Sequence, residues 1–124
     1  MAKKIIIIDD EINLRKILNF NLKIKGYEIY EAENGLVGLN LIKQIKPDLI
    51  LLDLMMPEMN GYQVVEELKK DEELSKIPIF ILSAKVKPEE INKLLSMGVL
   101  KYITKPFNIK ELNQEIENLF NNKT

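Results

Sequence analysis

Five side chains in this sequence are of types that can build one reactive centre: Asp9, Asp10, Asp53, Ser83 and Lys105. Each stands just after a short apolar run. Asp53 follows Leu49 to Leu52, Asp9 and Asp10 follow Ile5 to Ile8, Ser83 follows Ile79 to Leu82, and Lys105 follows Tyr102 to Thr104. Three carboxylates within about 6 Å of one another repel by roughly 3 kcal/mol per pair at an effective dielectric near 20, so a cation is the natural compensation. The chain has no His and no Cys, which excludes thiol nucleophiles, disulfides, zinc sites and histidine acid–base chemistry. All-oxygen ligands select a hard ion, and a shallow site that leaves room for several waters suits Mg²⁺ better than Ca²⁺. Acids, metal, hydroxyl and ammonium together are what phosphoryl transfer requires: a carboxylate nucleophile, for which Asp53 is the best candidate, neutralisation of phosphate oxygens, and a donor for the remaining one.

Those residues converge only if the apolar runs are strands of one sheet. Runs as short as Leu49–Leu52 and Ile5–Ile8 read as parallel strands buried on both faces, because such strands lose their polar alternation and helices need more length. Further strands are expected at Tyr27–Glu31, Ile77–Leu82 and Val99–Thr104. Between them lie helical stripes: Leu14, Ile17, Leu18 and Leu22 from about Glu11, stopped at Gly26; Gly38, Leu39, Ile42 and Ile45 after an Asn34 cap, ended by Pro47; and Val64, Val65 and Leu68 after an Asn60 cap. Pro88-Glu89-Glu90 opens a fourth helix with Ile91, Leu94 and Leu95 inward, and Asn108 with Glu111 opens a fifth with Ile109, Leu112, Ile116, Leu119 and Phe120 inward. Gly38 costs about 1 kcal/mol relative to Ala unless it permits close packing on the sheet. Residues Asn121 to Thr124 are expected to fray.

Five strands alternating with five helices imply an α/β, doubly wound, flavodoxin-like fold: a parallel sheet in the order 2-1-3-4-5 with helices on both faces. In that order the first and third strands are neighbours. Asp9, Asp10 and Asp53 then meet at the crevice where strand order reverses, joined by Ser83 and Lys105.

The whole chain narrows the function. At 124 residues it is expected to be one domain, residues 1–124, with no output domain. With 18 basic and 19 acidic residues the net charge is −1, which gives no field that draws nucleic acid or an anionic membrane. No apolar stretch approaches the roughly 20 residues of a membrane span, and no signal peptide fits, so a cytoplasmic location is expected. Seventeen of the 18 basic residues are Lys, a bias without mechanistic content.

The segments Ile7-Ile-Asp-Asp-Glu11, Glu33-Asn-Gly35, Pro47-Asp-Leu-Ile-Leu-Leu-Asp-Leu-Met-Met-Pro57, Ser83-Ala84 and Tyr102-Ile-Thr-Lys-Pro-Phe107 resemble the receiver domain of two-component response regulators. The resemblance runs over the whole chain and is closest to the stand-alone kind typified by chemotaxis and sporulation phosphorelay regulators. It implies that Asp53 takes phosphate from a histidine kinase or phosphotransfer protein, and that Asp10, Asp53 and the Met55 backbone carbonyl bind Mg²⁺, with Asp9 acting through water. It also implies that Ser83 and Lys105 hold the phosphoryl oxygens, that Ser83 and Tyr102 form the switch, and that Lys105-Pro106 is cis. Output is then expected on the surface of the fourth helix, fifth strand and fifth helix, read by a separate effector protein, with the unphosphorylated chain a monomer. The positions two beyond Asp53 and two beyond Ser83, Met55 and Lys85, are those the resemblance associates with the rate of dephosphorylation. Two departures stand out: Val99-Leu100-Lys101 replaces the usual small and acidic residues, and Ser stands at 83 where Thr is commoner.

Each residue also has a simpler reading. Asp53 or the Asp9-Asp10 pair could cap helices, Ser83 could be a turn residue bonding its own backbone, Lys105 a surface lysine before a turn, and Tyr102 a half-buried aromatic. Among rival functions, an aspartate-based phosphatase of the haloacid dehalogenase type needs a second Asp where Met55 stands. A flavin or nucleotide carrier needs a phosphate loop where Asp9-Asp10-Glu11 would repel phosphate. An unphosphorylated receiver-like scaffold is opposed by the complete set of five site residues. The expected protein is therefore not an enzyme in the ordinary sense and catalyses only its own phosphorylation and dephosphorylation.

Overall fold

The computed structural model describes residues 2–121. Its apolar runs form five parallel strands, β1 (Lys4–Ile8), β2 (Glu28–Ala32), β3 (Leu49–Leu52), β4 (Ile79–Ser83) and β5 (Lys101–Thr104). They pair in the order β2-β1-β3-β4-β5, as the alternation of strands and helices predicts. The crossovers are α1 (Ile12–Ile24), α2 (Gly35–Ile45), α3 (Gly61–Lys69), α4 (Pro88–Ser96) and, after β5, α5 (Ile109–Asn121), with one 3-10 turn at Leu74–Lys76. Residues 122–124, part of the expected frayed end, lie outside the described residues; Asn121 itself is helical.

The period of two along each strand divides the core into two layers. Ile5, Ile7, Leu49, Leu51, Phe80 and Leu82 face Leu18 and Leu22 of α1 and Leu112 and Ile116 of α5. Ile6, Ile8, Ile50, Leu52, Ile79 and Ile81 face Leu39 and Ile42 of α2, Val64, Val65 and Leu68 of α3, and Leu94 of α4. Full burial of each such side chain contributes about 1.5–3 kcal/mol. With helices on both faces, every residue of β3 is buried, which is why its sequence shows no alternation.

Caps form where the side chains predict them. Asn34 Oδ1 accepts from the Val37 amide at 2.8 Å, and Asn60 and Gln63 form a reciprocal capping box. Asn108 Oδ1 accepts from the amides of Lys110 and Glu111 at 2.8 and 3.2 Å. Lys46, in the left-handed region at φ 47°, ends α2 one residue before Pro47. Gly38 has the close packing that its cost requires, because a Cβ there would stand 2.6 Å from Ile8 Cδ1.

Five expectations need correction, the first being that β2 runs Glu28–Ala32 rather than Tyr27–Glu31, since the Tyr27 amide is spent on the Leu22 carbonyl at the end of α1. Ile17 is 48% exposed; the inward line of α1 runs through Leu18 and Leu22 and takes in Arg15, which bonds Glu31 of β2 and the Asp9 carbonyl after β1, leaving Ile17 about 100° from Leu18 around the helix. Leu95 is 43% exposed, because α4 turns Leu94 inward and the next residue faces out. Strand β4 begins at Ile79, since Ile77 closes the 3-10 turn, although the Pro78 carbonyl still accepts from Ile50. Strand β5 begins at Lys101, since the Val99 amide is spent on Leu94 at the end of α4.

Candidate functional site

Strand register delivers the acids to one edge. Ile8 pairs with Leu52 across β1 and β3, so Asp9 and Asp53 are the next residues on adjacent strands, and the Asp53 amide donates to the Ile8 carbonyl at 3.0 Å. Ser83 ends β4 opposite Thr104 of β5, and the Lys105 amide donates to the Ser83 carbonyl at 2.7 Å. The edge is the carboxyl end of the sheet, where β1 and β3 send their connections in opposite directions and leave a crevice.

One carboxylate oxygen from each of Asp9, Asp10 and Asp53 lies within 4.8 Å of the others. Asp9 and Asp53 are buried, at 3% and 6% exposure, while Asp10 is exposed on the loop before α1. Asp9 is held on both oxygens: Oδ1 accepts from the Glu11 amide at 2.9 Å and Oδ2 from Lys105 Nζ at 2.8 Å. Burial pushes the Asp9 carboxyl above its ordinary range, opposed by the Lys105 hydrogen bond. Lys105 loses solvation by burial, yet its hydrogen bond to Asp9 and the charges of Asp9, Asp53 and Glu11 outweigh that loss and raise its pKa.

The two oxygens of Asp53 differ. Oδ1 accepts from Ser83 Oγ at 2.6 Å, and the Met55 amide approaches it at 3.4 Å. Oδ2 faces Lys105 Nζ at 3.6 Å and, among the described residues, accepts no hydrogen bond. The Ser83 hydroxyl, 1% exposed, is also approached by the Leu54 amide at 3.4 Å. Gly61 lies behind this loop: its amide donates to the Leu54 carbonyl at 2.9 Å, and a Cβ there would stand 2.5 Å from the Asp53 carbonyl oxygen.

The structure thus brings Asp9, Asp10, Asp53, Ser83 and Lys105 together. Met55 adjoins them with its side chain 67% exposed. Tyr102 borders the site, half-buried on β5, its hydroxyl donating to the Ala84 carbonyl just beyond Ser83. Burial and the charge of Asp53 raise its pKa. The Lys105-Pro106 peptide is cis. The donor set fits Mg²⁺: three carboxylates, two already buried, with neither imidazole nor thiolate to favour a softer ion.

Two features escaped sequence reasoning. Arg15, 8% exposed on α1, donates from Nη1 to the Asp9 carbonyl at 2.7 Å and from Nε to Glu31 Oε1 at 3.0 Å. Its signal was available, since Arg15 is the one arginine in a chain whose other basic residues are all lysine. The second is the bond from the Tyr62 hydroxyl to Glu90 Oε1 at 2.7 Å, joining α3 to α4; burial and the glutamate push Tyr62 up to about 12.

The sequence matches the family model of the response regulator receiver domain over residues 5–117. It is 41% identical over 119 residues to a protein described as Probable transcriptional regulator ycf29 from Pyropia yezoensis, covering 96% of this chain and 54% of that relative. The chain therefore spans about half the length of this curated relative. Its structure is similar to the receiver domain of Francisella response regulator 1452, with a TM-score of 0.90 at 28% identity over 99% of this chain and 100% of the other. Chemotaxis response regulator CheY4 of Vibrio cholerae gives a TM-score of 0.89 at 26% identity, covering 96% and 99% of the two chains. The signal receiver domain of a Syntrophus aciditrophicus histidine kinase gives 0.88 at 30% identity, covering 98% and 92%. With acids and lysine gathered at one sheet edge and a family match running from β1 into α5, the chain belongs to the response regulator receiver domain family.

Proposed function

We propose that Asp53 is the phospho-acceptor of a signalling relay. Its carboxylate attacks the phosphorus of a phosphohistidine on a histidine kinase or phosphotransfer protein; the new O–P bond forms as the P–N bond breaks, and the departing imidazole takes up a proton. The observation that carries this reading is the asymmetry of Asp53: Oδ1 is engaged by Ser83 at 2.6 Å, while Oδ2 faces Lys105 at 3.6 Å with no hydrogen bond of its own among the described residues. An oxygen so placed is free to attack, and an ammonium already stands where the incoming charge develops. Asp9, Asp10, Asp53 and the Met55 carbonyl would hold Mg²⁺, which when bound neutralises phosphoryl oxygens.

Incubation with acetyl phosphate and Mg²⁺ tests the proposal by intact mass. The parent gains one phosphate and Asp53→Asn gains none; a gain retained by that variant overturns the assignment.

Phosphorylation gives Ser83 a new acceptor. Its hydroxyl leaves Asp53 Oδ1 for a phosphoryl oxygen and moves the Ser83-Ala84 segment, whose Ala84 carbonyl holds the Tyr102 hydroxyl. Tyr102 then repacks the face of α4, β5 and α5, and an effector distinguishes the two forms. A groove of about 340 Å³ on that face, lined by Phe80, Leu100, Lys101, Glu115, Asn118 and Leu119, with Lys101 paired to Glu115 at 3.2 Å, supports a docking role. Chemical-shift changes confined to the Asp53 loop on phosphorylation would count against it.

A further inference from the structure

The three acids are not held alike. Both oxygens of Asp9 are bonded and Asp53 has Ser83, but among the described residues the Asp10 carboxylate has no hydrogen-bond or ion-pair partner. Nothing attached to its side chain places it in the cluster. Its position is set by the backbone, through the peptide that joins Asp9 to Asp10.

The carbonyl of that peptide is the one that Arg15 Nη1 grips at 2.7 Å. The guanidinium is anchored in turn. Its Nε donates to Glu31 on β2 at 3.0 Å, and Glu31 also accepts from Asn19 at 2.6 Å and Lys16 at 3.2 Å. These donors hold Glu31 below its ordinary range against the effect of its burial. A planar fork bonded at both ends fixes orientation in a way a flexible ammonium does not. The carbonyl is buried with the guanidinium, so its loss would leave an acceptor needing a partner.

We propose that Arg15 is a positioning residue for cation binding: by fixing the Asp9–Asp10 peptide plane against β2, it aims the Asp10 carboxylate into the acid cluster. This rests on the reading of that cluster as a Mg²⁺ site. The direction of the effect separates positioning from simple charge. A cation near three acids repels Mg²⁺, so deleting Arg15 for its charge alone tightens binding, whereas deleting a positioning group weakens it. Partners standing behind metal ligands commonly contribute 10- to 100-fold in affinity.

Mg²⁺ titration followed by backbone amide shifts in ¹H–¹⁵N NMR tests this without any phosphodonor. Arg15→Gln is expected to bind Mg²⁺ about tenfold more weakly than the parent and to broaden the Asp10 amide. Arg15→Lys, which keeps the charge and loses the fork, is expected to recover only part of the affinity. Glu31→Asp, which keeps the charge and draws the far anchor back from the fork, weakens binding by about threefold and carries the test if Arg15→Gln does not fold. Ile42→Val, a core change away from the loop, lowers the melting temperature and leaves Mg²⁺ affinity unchanged, separating positioning from general destabilisation. Unchanged or tighter binding in Arg15→Gln, or unchanged binding in Glu31→Asp, overturns the role of Arg15 while leaving the site intact. A parent protein that shows no Mg²⁺-dependent shifts at Asp9, Asp10 and Asp53 overturns the site itself and this inference with it.

Discussion

Lys105 Nζ lies 2.8 Å from Asp9 Oδ2 and 3.6 Å from Asp53 Oδ2, so its hydrogen bond goes to the acid that is not the proposed nucleophile. The ammonium is thereby parked on Asp9, one side chain's swing from Asp53. It partly neutralises the cluster and competes with any dissolved cation for the same carboxylate.

Lys105→Met is therefore expected to separate two quantities. Removing one preorganised donor typically costs about 10²- to 10³-fold in rate, so phosphoryl uptake from acetyl phosphate falls by at least that lower factor. Mg²⁺ affinity does not fall, because a competitor for Asp9 has gone. Quench-and-mass time courses measure the first and amide-shift titration the second; a parallel loss of both contradicts the competition.

Asp9 contributes to the pH response of the cation-free fold with a sign opposite to that of Glu31. Burial raises its folded pKa above the ordinary 3.8, so the folded state holds this proton more tightly than the unfolded chain does. The stability from that proton is complete below 3.8 and is lost as pH rises through the folded value. At neutral pH ionised Asp9 is a cost that Asp9→Asn removes. The variant is expected to melt higher than the parent without Mg²⁺, with the gap narrowing as pH falls. Mg²⁺ is expected to stabilise the parent against melting, by about 1.4 kcal/mol at tenfold excess over Kd, and the variant much less. Thermal melts across pH, with and without Mg²⁺, check both signs.

Gly61 is a steric requirement of the Asp53 loop. The atom a Cβ would meet at 2.5 Å is a backbone carbonyl, which cannot rotate away as a side chain can. Gly61→Ala is expected to destabilise by about 1–3 kcal/mol through overpacking and to shift the amides of Asp53 to Met55. Denaturant unfolding and NMR measure the two effects, and a stable variant with unshifted amides contradicts the contact.

The lifetime of a phosphorylated Asp53 depends on the water that attacks it in line. Met55, 67% exposed, has only a weakly accepting sulfur, and Lys85, also exposed, cannot accept that water's proton while charged. Met55→Asn with Lys85→Glu is expected to speed loss of phosphate at least about tenfold, since a positioned base commonly contributes about 10²-fold or more. Decay after removal of the phosphodonor, at fixed Mg²⁺, is the measurement. Equal decay means that water access at these positions is not limiting.

Strand order was legible because β1, β3 and β4 are buried on both faces and show no alternation, and because every run but that of β2 ended in a residue that could do chemistry. Convergence of Asp9, Asp53, Ser83 and Lys105 followed from the topology alone. Side-chain partners were less legible. Ile17 fitted the helical stripe as well as Leu18 did, and the packing of Leu18 and Leu22 on the sheet, with Arg15 bonded to Glu31 of β2, decides which line turns inward. The parking of Lys105 on Asp9 likewise depends on distances that no spacing encodes.

The ammonium that neutralises Asp9 lies 96 residues further along the chain, which gives the site a place in the order of folding. Asp9 and Asp53 meet as soon as β1 and β3 pair, whereas Lys105 reaches Asp9 only once β3–β4 and β4–β5 have paired as well, so the lysine is expected to arrive after the acids. A chain caught between those steps has its acids already assembled and no lysine beside them. A dissolved divalent cation can do there what Lys105 does in the finished sheet. Mg²⁺ is therefore expected to accelerate refolding beyond an equal ionic strength of NaCl; equal rates would mean that the acids meet only once β5 is in place.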